Sequence, residues 1–307
     1  MVINQTINYL ARKDINEAKW DQCIDNAGNG IIYAYSFYLD HMAQQWDALV
    51  LNDYQTVMPL TWNKKYGTYY LFQPFLCAQL GVFGNNINKD VFSSFLKSIP
   101  KKFRYWDISL NRANLFILDN SFLHERNNFI LSLNKPYEEL YSEYRENTKR
   151  NINKSKQVGC YLKKDFNAEK VIQLAIQQKL NYTTTHAAEF DKFYNLYLFL
   201  HNRNQAITYG IFSAQHELLA SCIFFFSHSR AYYILVGNHA DAKKTGASHA
   251  LIDGFIKEHS GTTMILDFEG SDIRNLAFFY SGFGATEEKY AALKLNRLPW
   301  FGKWFKK

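Results

Sequence analysis

Residues 232–290 read YYILVGNHADAKKTGASHALIDGFIKEHSGTTMILDFEGSDIRNLAFFYSGFGATEEKY, and their pattern decides the fold class. The apolar run Arg230–Gly237 predicts a strand. Asn238–Gly246 is polar and predicts a loop. Ala247–His259 predicts a helix, Thr263–Phe268 a strand, Asp272–Gly282 a helix and Ala285–Asn296 a strand. Just upstream, Ala206–Phe212 and Leu218–Ser227 add two strands about a turn at His216–Glu217. A strand meander followed by strand–loop–helix–strand–helix–strand predicts an antiparallel sheet that turns parallel in its second half. The class is α/β, an α+β mixed sheet.

Further towards the N-terminus, Pro136 suits a first helical position, with Glu138 and Glu139 in the first turn. Tyr137, Leu140, Tyr141, Tyr144, Thr148 and Ile152 continue at helical spacing, and Gly159 stops the helix. Cys160–Lys164 follows, then helices over about 168–180 and 190–201. In the first third, Ser36 is a candidate N-cap for a helix over Phe37–Trp46. Trp46–Leu60 and Tyr69–Phe75 predict strands about a turn at Asn63–Gly67. Asp90–Ile99 carries a helical apolar face that Pro100 ends, and Tyr105–Leu110 and Asn128–Leu133 predict strands. A boundary near Asn134–Pro136 predicts two domains, 1–135 and 136–307, as the 307-residue length suggests.

Aromatic residues reach 17%, which excludes a disordered chain. The net charge of +7 fits an anionic ligand, a nucleic acid or an acidic membrane, and equally a plain basic surface. Cys23, Cys77, Cys160 and Cys222 form no CxxC pair, so no disulfide framework or cysteine zinc site is expected. No metal is expected, nor a transmembrane span. The N-terminus lacks a signal-peptide apolar region, and the expected localisation is cytoplasmic.

Two motifs in the opening stretch carry a family resemblance. One is Lys243-Lys244-Thr245-Gly246-Ala247-Ser248, a basic residue leading into a glycine turn before a helix. The other is Asn275–Ala285, which is similar to an Asn–x–x–Ala…Tyr–x–x–x–Gly pattern. Together they resemble the GNAT acyltransferase superfamily, with Lys243 in the basic place, Gly246 in the first glycine place and Ser248 in the last. Phe129–Leu162, Leu266–Ser271 and Phe278–Ala285 are similar to Fem-type peptidyltransferases. These have two tandem GNAT-like domains and move an amino acid from aminoacyl-tRNA to a peptidoglycan precursor.

The resemblance implies two tandem GNAT-like acyl-CoA N-acyltransferase domains, the second carrying the motifs. It implies an N-acyltransferase with acyl-CoA or aminoacyl-tRNA as donor. The acceptor would be an amine-bearing small molecule or a cell-wall or lipid-linked precursor. The alternative is a catalytically degenerate module that binds a nucleic acid or a membrane-linked partner.

Lys243, Lys244, Thr245, Gly246, Ala247, Ser248 and Asn275 are the candidate donor-binding residues, since backbone N–H groups at a helix head bind phosphates. A turn capped by Thr245 with two solvated lysines explains the same residues. Tyr280 stands where the resemblance places the acid beside the leaving sulfur, and half-buried packing is the other reading. Asp267 and Glu269 lie two apart at a strand end, so they share a face, and one could have the raised pKa of a base. Glu269 is preferred. Arg145, Lys149 and Arg150, with Lys154 and Lys156, form a basic helix stripe for phosphates or nucleic acid, or a solvated face. His249 beside the turn reads as a surface residue. The tail Arg297–Lys307 alternates aromatics with lysines, which suits peripheral contact with anionic lipid or docking back onto the protein.

Overall fold

A computed structural model describes residues 6–116, 123–178, 187–270 and 272–298. The chain begins β1 (Ile7–Leu10), α1 (Glu17–Asn26), α2 (Ser36–Met42), β2 (Trp46–Leu51), β3 (Thr56–Lys65), β4 (Thr68–Phe72), β5 (Phe83–Gly84), α3 (Lys89–Ser98) and β6 (Phe103–Ser109). It continues β7 (Leu123–Ser132), α4 (Tyr137–Ser142), α5 (Glu146–Gln157), β8 (Tyr161–Lys164), α6 (Ala168–Gln178) and α7 (Ala187–His201). Then come β9 (Ala206–Phe212), β10 (Leu218–Ser227), β11 (Arg230–Asn238), α8 (Ala242–Thr245), α9 (Ala247–His259), β12 (Ile265–Asp267), α10 (Arg274–Ser281) and β13 (Thr286–Asn296).

Two compact units result, Met1–Arg126 with Lys289–Lys307, and Asn127–Glu288. The division falls at 126/127 where the composition suggested 135/136, and the last residues group with the first unit. Hydrogen bonding accounts for both. β7 pairs antiparallel with β12 over Ile130–Ser132, inside the second unit. β13 pairs antiparallel with β6 over Ala292–Asn296, inside the first.

Each unit uses the same element order. In the first, β1, α1 and α2 lead to the antiparallel β2–β3–β4, then α3 and β6, and β6 lies parallel to β4. In the second, β8, α6 and α7 lead to the antiparallel β9–β10–β11, then α9 and β12, and β12 lies parallel to β11. The expected parallel half is thus this one pair, because β12 returns antiparallel against β7.

β10 is apolar along its length because both of its faces are covered. Phe224 stacks on Phe255 of α9 at 3.9 Å between centroids, and the next residue, Phe225, stacks on Phe193 of α7 at 5.5 Å. Alternation along a strand sends the two rings to opposite faces.

Five local expectations are corrected. The helix expected over 137–152 breaks into α4 and α5, because the Arg145 N–H donates to the Gly282 carbonyl at 2.9 Å instead of to its own preceding turn. Pro136 is the cap residue, one place before the first helical position. Ser36 is already helical, and its hydroxyl donates to Asp21 at 2.7 Å. The strand expected over Trp46–Leu60 is β2 and β3, and the loop expected over Asn238–Gly246 contains α8.

Candidate functional site

The second unit holds a cavity of about 870 Å³ at the C-terminal end of β11. The two strands are paired only over Arg230–Tyr232 and Ile265–Asp267, whereas β11 runs on to Asn238. Against β10, Ile223 faces Leu235 and Phe224 faces Tyr233, so β11 carries one extra residue, Ile234, and bends there. The chain then turns through α8 and Gly246 into α9.

Gly246 has φ of 74° and begins α9 without a side-chain cap. A Cβ at this position would lie 2.1 Å from the Asn151 carbonyl oxygen of α5. The glycine therefore lets α5 dock on the turn. Its expected purpose, close approach of phosphate to the backbone, is not what the geometry requires.

The first turn of α9 borders the cavity through Ser248 and His249. Asn147 and Asn151 of α5, Gln177 and Gln178 of α6, and Asn238 of β11 complete its polar wall. The Ser248 hydroxyl donates to Asn238 at 2.6 Å, and Gln178 accepts the Asn238 backbone N–H at 2.7 Å. His249 packs edge-on against Phe279 at 4.8 Å, and burial lowers its pKa to about 4, so its imidazole is neutral. It is a wall residue, where a surface position was expected.

The sequence-predicted donor residues divide. Lys243 and Ser248 line the cavity. Lys244 is exposed and pairs with Asp241 at 2.9 Å. The Thr245 hydroxyl donates to the Asp241 carbonyl at 3.0 Å, closing α8. Ala247 is fully buried in the core. Asn275 is exposed on α10 and does not line the cavity.

The two carboxylates also separate. Asp267 is buried and forms an ion pair with Arg230 at 2.6 Å, while Arg230 also reaches Glu288 at 3.0 Å. Asn128 donates to Asp267 at 2.9 Å, and Asp267 accepts the Glu269 backbone N–H at 2.9 Å. A carboxylate held this way organises its turn. The two acids do not share a face as expected, because β12 ends at Asp267 and Glu269 takes φ of 67°.

Burial pushes the Glu269 carboxyl well above the usual carboxylate range. Tyr280 is raised above the usual phenol range by burial and by the nearby Glu269, and it stacks on Phe268 at 4.5 Å. Tyr233 of β11 is raised by burial and feels Tyr280. Glu269, Tyr280 and Tyr233 are thus one coupled group. It lies beside the cavity wall, next to Phe279, and does not line it.

The basic stripe does not act as one surface. Arg150 bonds Asn147, a wall residue, at 3.4 Å. Lys149 turns back to Glu146 at 3.2 Å and to the Ser142 carbonyl at 3.3 Å. Arg145 covers the Phe278 ring at 4.6 Å. Beyond Leu298 the tail lies outside the described residues.

Sequence reasoning missed the amide wall and the Arg230–Asp267–Glu288 group. The i, i+4 spacing of Asn147 and Asn151 is the signal that could have found the first. Among the described residues no helix is long and apolar enough to cross a membrane.

No protein-family model and no curated protein matches the sequence. Solved structures do match. FemX superposes with a TM-score of 0.66 at 12% identity, over 98% of this chain and 100% of FemX. A conserved protein of unknown function from Bacteroides thetaiotaomicron matches with a TM-score of 0.60 at 12% identity, over 95% of this chain and 100% of that one. L-PGS from Bacillus licheniformis matches with a TM-score of 0.53 at 11% identity, over 92% of this chain and 93% of that one. At such identities the likeness shows the fold alone, and that fold is the one FemX has.

Proposed function

We propose that this chain, with its Fem-like GNAT fold, is an N-acyltransferase that moves an acyl or aminoacyl group from a phosphate-bearing donor to an amine. The observation that carries the reading is the uncapped head of α9 on a cavity of about 870 Å³. A helix head left without a side-chain cap presents backbone N–H groups and the positive end of the helix dipole, and both favour anions. Lys243 adds a full charge at the same wall. Acyl-CoA and aminoacyl-tRNA both carry such phosphates. The repeated element order supports two tandem GNAT-like domains, of which the second takes the donor.

The coupled group beside the cavity supplies the proton chemistry. Ionised Glu269 takes a proton from the attacking ammonium or amine. Its raised pKa makes it a better base than an ordinary glutamate near neutrality. Tyr280 stays protonated because burial and Glu269 oppose its ionisation. Its hydroxyl gives a proton to the leaving thiolate or ribose oxygen as the donor's C–S or C–O bond breaks. From the neutral amine, one proton is taken as the C–N bond forms and one is given as the donor bond breaks, and the proton held by Glu269 then passes to the tyrosinate to restore both groups. An amine on a small molecule, or on a cell-wall or lipid-linked precursor, is the acceptor that the Fem resemblance supports.

A thermal-shift screen against acetyl-CoA, longer acyl-CoAs and aminoacyl-tRNA tests the reading, followed by single-turnover assays with amines. A hundredfold excess over Kd stabilises the folded state by about 2.7 kcal/mol, a visible shift. One donor class should shift the melting temperature and then transfer its acyl group. No shift with any donor defeats the proposal, and a shift without transfer supports a binding module instead.

A further inference from the structure

The turn that carries Glu269 is anchored at every backbone N–H. β12 ends at Asp267, and the next three donors are each met. Phe268 donates to the Phe129 carbonyl of β7 at 3.0 Å, Glu269 to the Asp267 carboxylate at 2.9 Å, and Gly270 to the Asn128 side-chain oxygen at 2.5 Å. Asn128 is fully buried and uses both ends of its amide, because its Nδ2 donates to the same Asp267 oxygen at 2.9 Å. The other Asp267 oxygen accepts Arg230 Nη1 from β11 at 2.6 Å, and Arg230 reaches on to Glu288 in β13 at 3.0 Å. These bonds enclose a glutamate with φ of 67°. That left-handed conformation is unfavourable for a residue with a side chain and persists where its surroundings enforce it.

We propose that Asn128, Asp267 and Arg230 are positioning residues: they clamp the turn over 268–270 so that the Glu269 carboxyl stays buried beside Tyr280. A buried ion pair adds little net stability over well-packed apolar groups, so stability alone does not call for these residues. Hydrogen bonds are directional, and here they run from Arg230 through Asp267 and Asn128 to the backbone of Glu269 and Gly270. Phe268, inside the clamped turn, stacks on Tyr280 at 4.5 Å, which fixes the acid relative to the base. None of the three residues lines the cavity, so they act through Glu269. The clamp rests on the hydrogen bonds, whereas its value to catalysis rests on the transferase reading, in which Glu269 is the base.

A carboxyl titration of the full chain tests the clamp without any substrate. The probe is carbon-13 glutamate, with the Glu269 resonance assigned by its loss in Glu269→Gln. In the wild type its midpoint should stand above the ordinary glutamate range. Asn128→Ala changes no charge, and it leaves Tyr280 of α10 and Tyr233 of β11 in place. It should free the turn, let water reach the carboxyl and lower the midpoint by at least about one pH unit. Arg230→Lys keeps the charge without the fork that spans Asp267 and Glu288, and should lower the midpoint less. It carries the same test should Asn128→Ala fail to fold. Phe193→Leu, on the side of β10 away from α9, loosens packing without touching the turn and should leave the midpoint where it is. An unchanged midpoint in the folded clamp variants overturns the proposal. With a donor and amine that turn over, kcat of Asn128→Ala should fall at least tenfold and the donor KM should stay within about twofold. The acidic limb of the pH–rate profile should move to lower pH with the midpoint. An unmoved limb or an unchanged kcat overturns the positioning role. A wild type that transfers from no donor defeats the acyl-transfer reading instead, and the titration then decides the clamp alone.

Discussion

The two units have the same element order and opposite uses of one position, the head of the helix after the meander. In the first unit α3 is capped by its own sequence: the Asn88 side chain accepts the Val91 N–H at 2.9 Å. The strand before it, β4, is paired with β6 through its last residue, Phe72. The chain between β4 and α3 is tied down by buried asparagines. Asn114 accepts the Val82 N–H at 2.7 Å, and Asn29 accepts the Gly84 N–H at 3.1 Å. In the second unit α9 has no side-chain cap, β11 leaves its parallel partner after three residues, and the polar side chains face a cavity. The third-residue donor that a side chain meets in α3 is met in α9 by backbone alone, the His249 N–H donating to the Gly246 carbonyl at 3.1 Å. A shared fold therefore does not imply a shared site.

Removing the base should produce the largest difference between the units. Glu269→Gln should lower kcat by about 10²–10⁴-fold with donor affinity nearly unchanged, which stopped-flow single turnovers would measure. The acidic limb of the pH–rate profile should sit above the ordinary glutamate range in the wild type and vanish in the variant. Stability should move the other way. A carboxyl whose folded pKa is raised contributes stability below its unfolded pKa and loses it as pH rises through the folded pKa. The variant should therefore gain in melting temperature relative to wild type as pH increases. An unchanged turnover would end the role given to Glu269.

Two glycines in turns sharpen the contrast next. Gly246 and Gly67 have φ of 74° and 77°, but a Cβ on Gly67 meets nothing within 4 Å, whereas one on Gly246 meets the Asn151 carbonyl oxygen at 2.1 Å. Gly67→Ala should cost only the left-handed backbone penalty, about 1–2 kcal/mol. Gly246→Ala should add overpacking to that, about 2–5 kcal/mol together, measured by urea unfolding. Similar losses at both positions would mean that α5 does not rest on the α9 turn.

The smallest effect belongs to the first unit's cap. Asn88→Ala should cost about 1 kcal/mol of stability with no change in donor affinity. A loss of donor affinity in this variant would place the donor at α3 and reverse the comparison.

The strands and helices of the second unit were legible because their signals are local. The mostly apolar stretch of β10, interrupted by Ser221, reflects a strand covered on both faces, and Gly159 stops α5 where expected. The break between α4 and α5 was not legible, since it depends on a hydrogen bond from Arg145 to Gly282, far along the chain. The site shows the same limit. Lys243 and Ser248, which line the cavity, could be read from the turn that they flank. Asp267 could not be separated from Glu269, because its partner Arg230 is 37 residues away and no spacing rule links them. The amide wall comes from α5, α6 and β11 together, so only folding assembles it.

Hydrogen–deuterium exchange of the whole chain, with and without the donor that shifts its melting temperature, tests the central claim most directly. Donor-induced protection is expected at residues 246–249, at the head of α9, and in the facing parts of α5 and α6, with none at the head of α3. Protection at residues 88–91 with no change at 246–249 would contradict it, because the open helix head would then not be where the donor binds.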